Sequence, residues 1–161
     1  MSWYSSTVDT PIGPFTVIAS GDAVIASGWT ADEQALAGLV RLARQPRQRA
    51  DLGDITKAVL AYFEGDLAAV EGIPVDQRGG DFLEHAWRVL RKVHHPVSYT
   101  EFAALAGRPA AVRAAAQACA RNAAALFVPC HRVLRSDGSL GGFRYGLPAK
   151  RWLLDHEASY R

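Results

Sequence analysis

The sequence predicts an α+β protein made of two lobes. Apolar and β-branched residues come first, in strand-like runs over 14–29, whereas later apolar residues recur at helical spacing. The charge also changes along the chain: residues 1–81 carry 6 Lys and Arg against 11 Asp and Glu, and residues 82–161 carry 12 against 5. Proline and paired glycines in 72–80 mark the change, so we predict domains at 1–78 and 79–161.

Size and composition exclude several classes of protein. With 161 residues, 49% hydrophobic and 21% charged, the chain can form a folded core and is too apolar to be disordered. The first residues contain no basic leader followed by an apolar block, and no apolar run approaches membrane-spanning length. We therefore expect a cytoplasmic protein with no membrane partner. Two cysteines and five scattered histidines match no zinc spacing, so no structural metal is expected.

The first predicted elements are a β-hairpin and two helices. Two β-rich runs, 14–20 and 23–29, are separated by Gly21-Asp22 and predict the hairpin. Leucines and a valine recur at helical intervals over 31–43, behind an acidic start that favours a helix N-terminus. A second helix is predicted over 54–63, ended by Glu64-Gly65-Asp66.

The second half begins with helical signals. Apolar residues from Phe82 to Val93 form one helix face, which Pro96 ends. Ser98 and Glu101 then have the spacing of a capping box, in which each side chain accepts from the backbone N–H of the other. A short helix is therefore predicted from Tyr99 to Ala106.

A further helix is predicted from Pro109 to about Arg121, because proline suits a first helical turn, where no N–H is needed. With Gly107 between them, the two helices form a candidate helix-turn-helix. The second is dominated by alanines, which offer no hydrogen bonds to base edges in a major groove. It could instead approach a minor groove closely, with Arg113 entering the base stack. Composition leaves a second interpretation open, since alanine-rich helices also pack closely against other helices.

Cys130 is the candidate nucleophile, because it lies in the run Val128-Pro-Cys-His-Arg132. A cysteine reacts as the thiolate and so needs a nearby cation or base, for which His131 is the obvious candidate. Adjacent residues of an extended chain point to opposite faces, so contact would require a turn or a bridging water. Asp155 or Glu157 could orient the imidazole. The residues alone leave open that Cys130 is a buried core cysteine, as we expect Cys119 to be.

The motif around Cys130 resembles that of a known family. Pro129-Cys-His-Arg-Val133, preceded by an apolar run and Asn122, is similar to the active-site motif of the O6-alkylguanine-DNA alkyltransferases, or methylated-DNA–protein-cysteine methyltransferases. The similarity covers almost the whole chain, in order and at near-constant spacing. It includes the segments 9–13, 58–66, 82–90, 98–99, 107–113 and 150–157.

The resemblance implies a ribonuclease-H-like N-terminal lobe and a mainly helical, winged helix-turn-helix C-terminal lobe. It implies direct-reversal DNA repair: the protein would bind duplex DNA in the minor groove, flip the damaged nucleotide and transfer the alkyl group of O6-alkylguanine, and also of O4-alkylthymine, to Cys130. The thioether product resists hydrolysis, so each monomer would act once, without a cofactor. Cooperative binding along DNA is left open. In a bacterium the protein would be nucleoid-associated.

The same resemblance assigns roles to residues. Cys130 is the alkyl acceptor, His131 the base that activates it through a water, and Glu157 the carboxylate that orients His131. Tyr99 would donate to the flipped base, and Asn122 would brace the turn that holds the site. The residues expected to contact DNA are Arg113, which would fill the gap in the stack, with Ala111, Ala114, Gln117, Thr100 and Arg121. The residues expected to line the substrate pocket are Val133, Phe143, Arg144 and Tyr145.

Three features of the chain differ from the family's usual pattern. The turn 94–97 is short and lacks the usual glycine, which affects the approach to Tyr99. In the loop 141–146, Phe143 stands in the usual tyrosine place and Tyr145 where a glycine is common. Gln117 also replaces a smaller residue on the groove side. We expect the crowded loop to restrict larger alkyl groups.

Three alternative functions are weaker. An alkyltransferase-like protein that only binds lesions would lack the cysteine that this chain has at position 130. A fused transcriptional regulator of this family would need a cysteine-rich metal domain, and two cysteines do not supply one. A cysteine hydrolase would need a separate oxyanion site and would explain neither the basic second half nor Arg113 on an alanine-rich helix.

Overall fold

A four-stranded sheet organises the first part of the chain in a computed structural model, which describes residues 2–161. Its strands are β1 (Tyr4–Thr10), β2 (Gly13–Ser20), β3 (Ala23–Gly28) and β4 (Arg47–Gln48), in the order β3-β2-β1-β4. Neighbours pair antiparallel, except that β4 runs parallel to β1. The predicted hairpin is confirmed as β2 and β3.

The hydrophobic pattern does not predict β1, because both of its buried residues are serines. Ser5 and Ser6 are almost fully buried, yet both hydroxyls donate hydrogen bonds, Ser5 Oγ to Glu33 Oε1 at 2.6 Å and Ser6 Oγ to the Ala50 carbonyl at 3.0 Å. Buried hydroxyls that are hydrogen-bonded avoid most of the desolvation penalty. A polar strand can therefore lie inside this sheet.

Two helices pack on the sheet. Helix α1 (Glu33–Leu39) is shorter than the predicted span 31–43, because Asp32 caps its N-terminus and Arg41, at φ 54°, is in the left-handed conformation just beyond its C-terminus. Helix α2 (Asp54–Phe63) has the predicted bounds and packs against β1. The buried residues that join α1 to the sheet are Ile18, Ile25, Ala26 and Leu36.

The chain divides into two compact units that are not continuous in sequence. The first runs to Gln77 and includes Ala123–Phe127 and Ser159–Arg161, and the second comprises Arg78–Asn122 and Val128–Ala158. The predicted single boundary near residue 78 therefore does not account for two short later segments, 123–127 and 159–161, that belong to the first unit. Ser27 of β3 holds the first of these: its N–H donates to the Ala123 carbonyl at 2.8 Å and its Oγ to the Ala125 carbonyl at 2.7 Å.

The returning segment 123–127 is an apolar run and is buried, but it does not form a continuous strand. Ala124 forms an isolated bridge with Ser27, and Leu126 turns the chain with φ 76°. Only burial could be predicted here, because a run of alanines and apolar residues carries no signal for a turn. The turn redirects the chain toward Val128 and the start of the Cys130 segment.

The second unit is mainly helical. It contains α3 (Asp81–Leu90), α4 (Tyr99–Leu105), α5 (Val112–Ala120) and α6 (Leu147–Ala158), with a short parallel pair of strands, β5 (Val97–Ser98) and β6 (Val133–Leu134). The result is the predicted α+β fold: a sheet-based first part and a helical second part. Across residues 2–161, the structure has no helix of the length and apolar character that a membrane crossing requires.

The helix-turn-helix is formed by α4 and α5. Ser98 and Glu101 make the predicted capping box, and Gly107, at φ 83°, lies just past the end of α4. The predicted start of α5 at Pro109 is wrong. Pro109 lies in a turn closed by the Ala111 N–H, which donates to the Arg108 carbonyl at 2.9 Å, and the helix begins only at Val112. Proline fits the second position of such a turn as well as it fits a helix start.

Candidate active site around Cys130

Cys130 begins a single 3₁₀ turn, Cys130–Arg132, that follows Pro129. The turn is what the sequence argument required for neighbouring cysteine and histidine side chains to serve one site. Asn122 fixes it from the end of α5: its Nδ2 donates to the Val128 carbonyl at 2.9 Å and to Cys130 Sγ at 3.2 Å. One buried amide thus holds both the backbone before the turn and the sulfur.

The thiol of Cys130 is half-buried in a setting with opposing electrostatic effects. Burial raises its pKa, because a thiolate loses solvation. The hydrogen bond from Asn122 and the positive charges of Lys150 and Arg144 act in the other direction, since each stabilises the thiolate. The pKa stays above its usual range, so the resting site holds a thiol that needs a base.

His131 is completely enclosed beside a carboxylate. Its Nε2 lies 2.7 Å from Glu157 Oε2, and Glu157, on α6, is fully buried. Arg132 completes the arrangement: its Nε donates to Glu157 Oε1 at 2.8 Å, its Nη2 to Glu157 Oε2 at 3.1 Å, and its Nη1 to the Val93 carbonyl. Glu157 therefore receives hydrogen bonds on both oxygens.

The charge state of this cluster follows from its contacts. Burial alone would raise the pKa of Glu157, but His131 and Arg132 outweigh it and hold the pKa far below its usual range. For His131, burial lowers the pKa, because it disfavours the charged imidazolium, and Glu157 offsets this only in part. An ionised Glu157 accepts the proton of Nε2, so Nδ1 carries the lone pair. Within residues 2–161, Nδ1 is buried and makes no hydrogen bond.

Two cations that hold the loop 141–146 belong to the site, and only one of them was predicted. Lys150 of α6 is fully buried and donates from Nζ to the carbonyls of Val133, at 2.7 Å, and Gly142, at 3.2 Å. Arg144 donates from Nη2 to the Ala120 carbonyl at the end of α5. Lys150 was missed because a lysine ordinarily predicts a solvated charge. Its only signal was its place at the start of the segment 150–157, which resembles the family.

Tyr99 lies against the same loop. A Cβ placed on Gly141, which has φ 72°, would stand 3.0 Å from the Tyr99 hydroxyl, so glycine permits both the backbone angle and the approach of the phenol. Burial raises the pKa of Tyr99, and its phenol stays protonated at neutral pH. Phe143 and Tyr145 pack edge-to-face with ring centroids 5.7 Å apart, so the two aromatic residues of the loop support each other.

The predicted DNA-contacting residues are mostly exposed on or beside the helix-turn-helix. Arg113, Gln117 and Arg121 project from α5 into solvent, and Ala111 and Ala114 are half-buried. Thr100 is exposed, with its hydroxyl 3.1 Å from that of Ser136. The buried face of α5, which includes Ala115 and Ala118, packs within the unit, and Trp87 Nε1 donates to the Ala118 carbonyl at 2.8 Å. The buried alanines of α5 therefore allow close packing within the unit, and the half-buried alanines present small side chains on the other face.

Two other residues named in the sequence analysis, Asp155 and Val133, differ in their exposure. Asp155 is exposed and faces Arg151 at 3.8 Å, which leaves Glu157 as the carboxylate of the site. Val133 is fully buried in β6. Over residues 2–161, no three His, Cys, Asp or Glu side chains are grouped as a metal ion would require.

Comparison with known protein families matches both parts of the chain. Residues 3–77 match the ribonuclease-like domain of 6-O-methylguanine DNA methyltransferase, and residues 81–159 match the DNA binding domain of the same family. A methylated-DNA–protein-cysteine methyltransferase of Mycobacterium bovis is 32% identical over 95% of this chain and 91% of its own length. That of Mycolicibacterium paratuberculosis is 36% identical over 92% and 88%.

The bifunctional transcriptional activator and DNA repair enzyme Ada of Escherichia coli is 47% identical over 53% of this chain, but the match spans only 25% of Ada. About half of this chain thus matches about a quarter of that protein.

Solved structures agree with the sequence relatives. The O6-methylguanine methyltransferase of Mycobacterium tuberculosis superposes with a TM-score of 0.81 at 29% identity, covering 99% of this chain and 94% of the other. A structure of the same enzyme in complex with DNA gives a TM-score of 0.78 at 30% identity, over 98% and 94%. The resemblance inferred from the cysteine motif is confirmed: the chain belongs to the methylated-DNA–protein-cysteine methyltransferase family of DNA repair enzymes.

Proposed function

We propose that this chain transfers the alkyl group of O6-alkylguanine in duplex DNA irreversibly to Cys130, once per molecule. The observation that carries the proposal is the pairing of a half-buried Cys130 sulfur, held by Asn122 at 3.2 Å, with an adjacent His131–Glu157 pair at 2.7 Å. A thiol beside an oriented base is the arrangement that nucleophilic catalysis by cysteine needs.

Activation of the thiol would proceed through His131. Because Glu157 accepts the Nε2 proton, Nδ1 is the nitrogen that can take the Cys130 proton, by way of a bridging water. The resulting imidazolium remains next to an ionised Glu157, which stabilises the added charge. The positive charges of Lys150 and Arg144 also stabilise the thiolate.

The transfer itself forms one bond and breaks one bond. The thiolate attacks the alkyl carbon, the carbon–sulfur bond forms as the carbon–O6 bond breaks, and the electron pair moves into the guanine ring. The protonated phenol of Tyr99, beside Gly141, is placed to donate a hydrogen bond to that ring as charge develops. Since the product is a thioether with no easy hydrolysis, the protein is consumed. The same chemistry would apply to O4-alkylthymine.

Duplex DNA would be bound through α5. Its half-buried alanines permit close approach to a minor groove, and the exposed Arg113 is long enough to occupy the space left by a flipped nucleotide. The related M. tuberculosis enzyme has been solved in complex with DNA, which supports DNA as the partner. We propose that a single chain carries out each repair event.

Intact-mass measurement tests the transfer and its stoichiometry. After incubation with excess duplex DNA containing O6-methylguanine, every chain should gain about 14 Da, one methylene, and no further DNA should be repaired. Repair of several lesions per chain, or loss of the methyl group to water with no change in protein mass, would contradict the proposal.

Base flipping is tested by comparing two substrates. Arg113→Ala should slow repair of duplex DNA by about tenfold or more and leave the reaction with free O6-benzylguanine nearly unchanged, because only the duplex requires flipping. Arg151→Ala, an exposed arginine of α6, is the matched control and should change neither rate. Equal losses on both substrates would remove Arg113 from this role.

A further inference from the structure

The segment 41–49 concentrates positive charge in an otherwise acidic part of the chain. Residues 1–77 contain five Lys and Arg, and four of them are Arg41, Arg44, Arg47 and Arg49; no Asp or Glu occurs from 34 to 50. All four arginines are exposed. Surface charge of this kind, confined to nine residues, is a feature that the alkyl-transfer chemistry does not use.

Two of the arginines are held on aromatic rings at the sheet edge. The Arg49 guanidinium lies 3.5 Å from the centroid of Tyr4, and that of Arg44 lies 5.8 Å from the centroid of Trp3. A guanidinium stacked on a ring has reduced freedom, and its N–H groups still point outward in its own plane. The entropy cost of binding an anion is then smaller.

Arg47 shares this edge. It lies on the edge strand β4, in register with Tyr4 of β1, so its side chain and that of Arg49 flank the same tyrosine. For Arg41, Arg47 and Arg49, the structure of residues 2–161 has no carboxylate within ion-pairing distance. Within that part of the chain, the charges of these three arginines are therefore not neutralised by ion pairs.

Arg41 gives independent support. It occupies the left-handed conformation, φ 54°, just past the end of α1, where the Leu42 N–H donates back to the Ala37 carbonyl at 3.2 Å. That position favours glycine. An arginine there is strained, and because its side chain is exposed, packing does not explain it. A role of the exposed side chain in binding would account for an arginine at this position.

We propose that the segment 41–49 is a second DNA-binding surface, which contacts backbone phosphates through its arginines. The edge presents several guanidinium groups within nine residues, so it fits a repeating partner such as the phosphates of a duplex, which accept from planar donors. The acidic remainder of residues 1–77 repels DNA and confines the contact to this edge. The proposal rests on DNA binding by this chain and is independent of the chemistry at Cys130.

Salt-dependent binding tests the proposal. The measurement is fluorescence anisotropy with an undamaged duplex of about 30 base pairs, at several salt concentrations. The variant Arg41→Gln/Arg44→Gln/Arg47→Gln/Arg49→Gln should bind roughly tenfold or more weakly at low salt, with a slope of log K against log salt shallower by about 0.9 for each phosphate that is no longer bound. Lys57→Gln, which removes an exposed positive charge of the same unit outside the segment, is the control and should leave both quantities unchanged.

A second variant guards against a folding defect. Arg41→Gln/Arg47→Gln leaves both stacked arginines in place and should still make the slope of log K against log salt shallower by about 1 to 2. Unchanged affinity and slope in both variants, with melting temperatures equal to that of the wild type, would overturn the proposal. The proposal would also be overturned if the variants changed only the self-association of the protein, or only its binding to an acidic protein, and not its binding to DNA. Reaction of the same samples with free O6-benzylguanine separates this failure from a failure of the proposed alkyl transfer, since that reaction involves no DNA.

Discussion

The two cysteines of this chain differ in their surroundings more than in their burial. Both Cys119, in α5, and Cys130, in the 3₁₀ turn, are half-buried, and burial raises the pKa of both thiols. Only the Cys130 sulfur accepts a hydrogen bond from a buried amide, that of Asn122, and only Cys130 is followed by a histidine oriented by a carboxylate. A nucleophile is therefore distinguished by the groups that stabilise its charged form and remove its proton.

The two cysteines are also held in place differently. The turn of Cys130 is anchored by the Asn122 amide at Val128 and by the ion pair between Arg132 and Glu157, whereas Cys119 lies within α5. In a helix, the backbone carbonyls around a cysteine are already hydrogen-bonded to N–H groups of the same helix. The 3₁₀ turn instead fixes the Cys130 sulfur relative to one base, His131.

The largest expected effect comes from exchanging the thiols one at a time. Cys130→Ser should lower the rate of alkyl transfer by about a thousandfold or more, because a hydroxyl is a far weaker nucleophile than a thiolate. Cys119→Ser keeps the turn and its base and should retain most of the rate. The rates are measured by single-turnover reaction with an O6-methylguanine duplex, and a Cys119→Ser variant as inactive as Cys130→Ser would break the comparison.

The next effect is expected at the carboxylate. Glu157→Gln leaves Arg132 buried without its partner charge and should destabilise the protein by about 3 to 5 kcal/mol, as removal of one member of a buried ion pair does. It should also slow alkyl transfer by about a hundredfold or more, because His131 loses its orienting group. Denaturant unfolding and single-turnover rates measure the two effects.

The same residue gives a pH dependence of stability. The folded pKa of Glu157 lies below its ordinary value of 4.5, so its contribution to stability is fully present above that value and is lost as the pH falls below it. In Glu157→Gln, the free energy of unfolding should fall less steeply from pH 5 to pH 3 than in the wild type. Identical acid profiles would show that the pKa of Glu157 is the same in the folded and the unfolded protein, which contradicts the lowered pKa.

A smaller effect is expected at Asn122, whose side-chain amide donates a hydrogen bond to the Cys130 sulfur. Asn122→Ala removes a hydrogen bond that stabilises the thiolate, so the pKa of Cys130 should rise further and the rate at neutral pH should fall by about tenfold. The whole pH–rate profile with free O6-benzylguanine should move to higher pH, which a merely looser fold would not cause. Alkylation of Cys119 by iodoacetamide should keep its profile and serves as the internal control.

The smallest effect is expected at the pocket loop. Arg144→Ala frees the loop from the Ala120 carbonyl and removes a cation that stabilises the thiolate. Repair of O6-methylguanine should slow by a few-fold, while the ratio of benzyl to methyl transfer should rise, because the loop can then move away. A falling ratio would show that the loop helps to hold the larger group. Arg151→Ala, an exposed position on α6, is a control outside the loop.

How far the sequence predicted the fold depended on how local each signal was. The hairpin, α2 and the Ser98–Glu101 capping box were predictable, because turn residues, apolar spacing and capping act between near neighbours. The strand β1 and the short strand β4 were not, because buried serines carry no hydrophobic period and a two-residue strand has none. The predicted start of α5 failed because proline fits both a turn and a helix start.

The site was predictable where a motif carried it. Cys130, His131 and Asn122 lie close together in the sequence, and Glu157 followed from the family resemblance. The contact of Arg132 with Glu157 and the burial of Lys150 were not predictable, since they join residues from separate elements and charged side chains ordinarily face solvent. Long-range polar contacts of this kind require the fold before they can be inferred.

Peptide mapping after exposure to methylated DNA tests the central claim most directly, because the two thiols compete within one molecule. The protein is incubated with a duplex containing O6-methylguanine and digested, and the peptides that contain Cys119 and Cys130 are weighed. The account predicts a gain of about 14 Da on the Cys130 peptide alone, at one per chain. The methyl group on Cys119, on both peptides or on neither would contradict it.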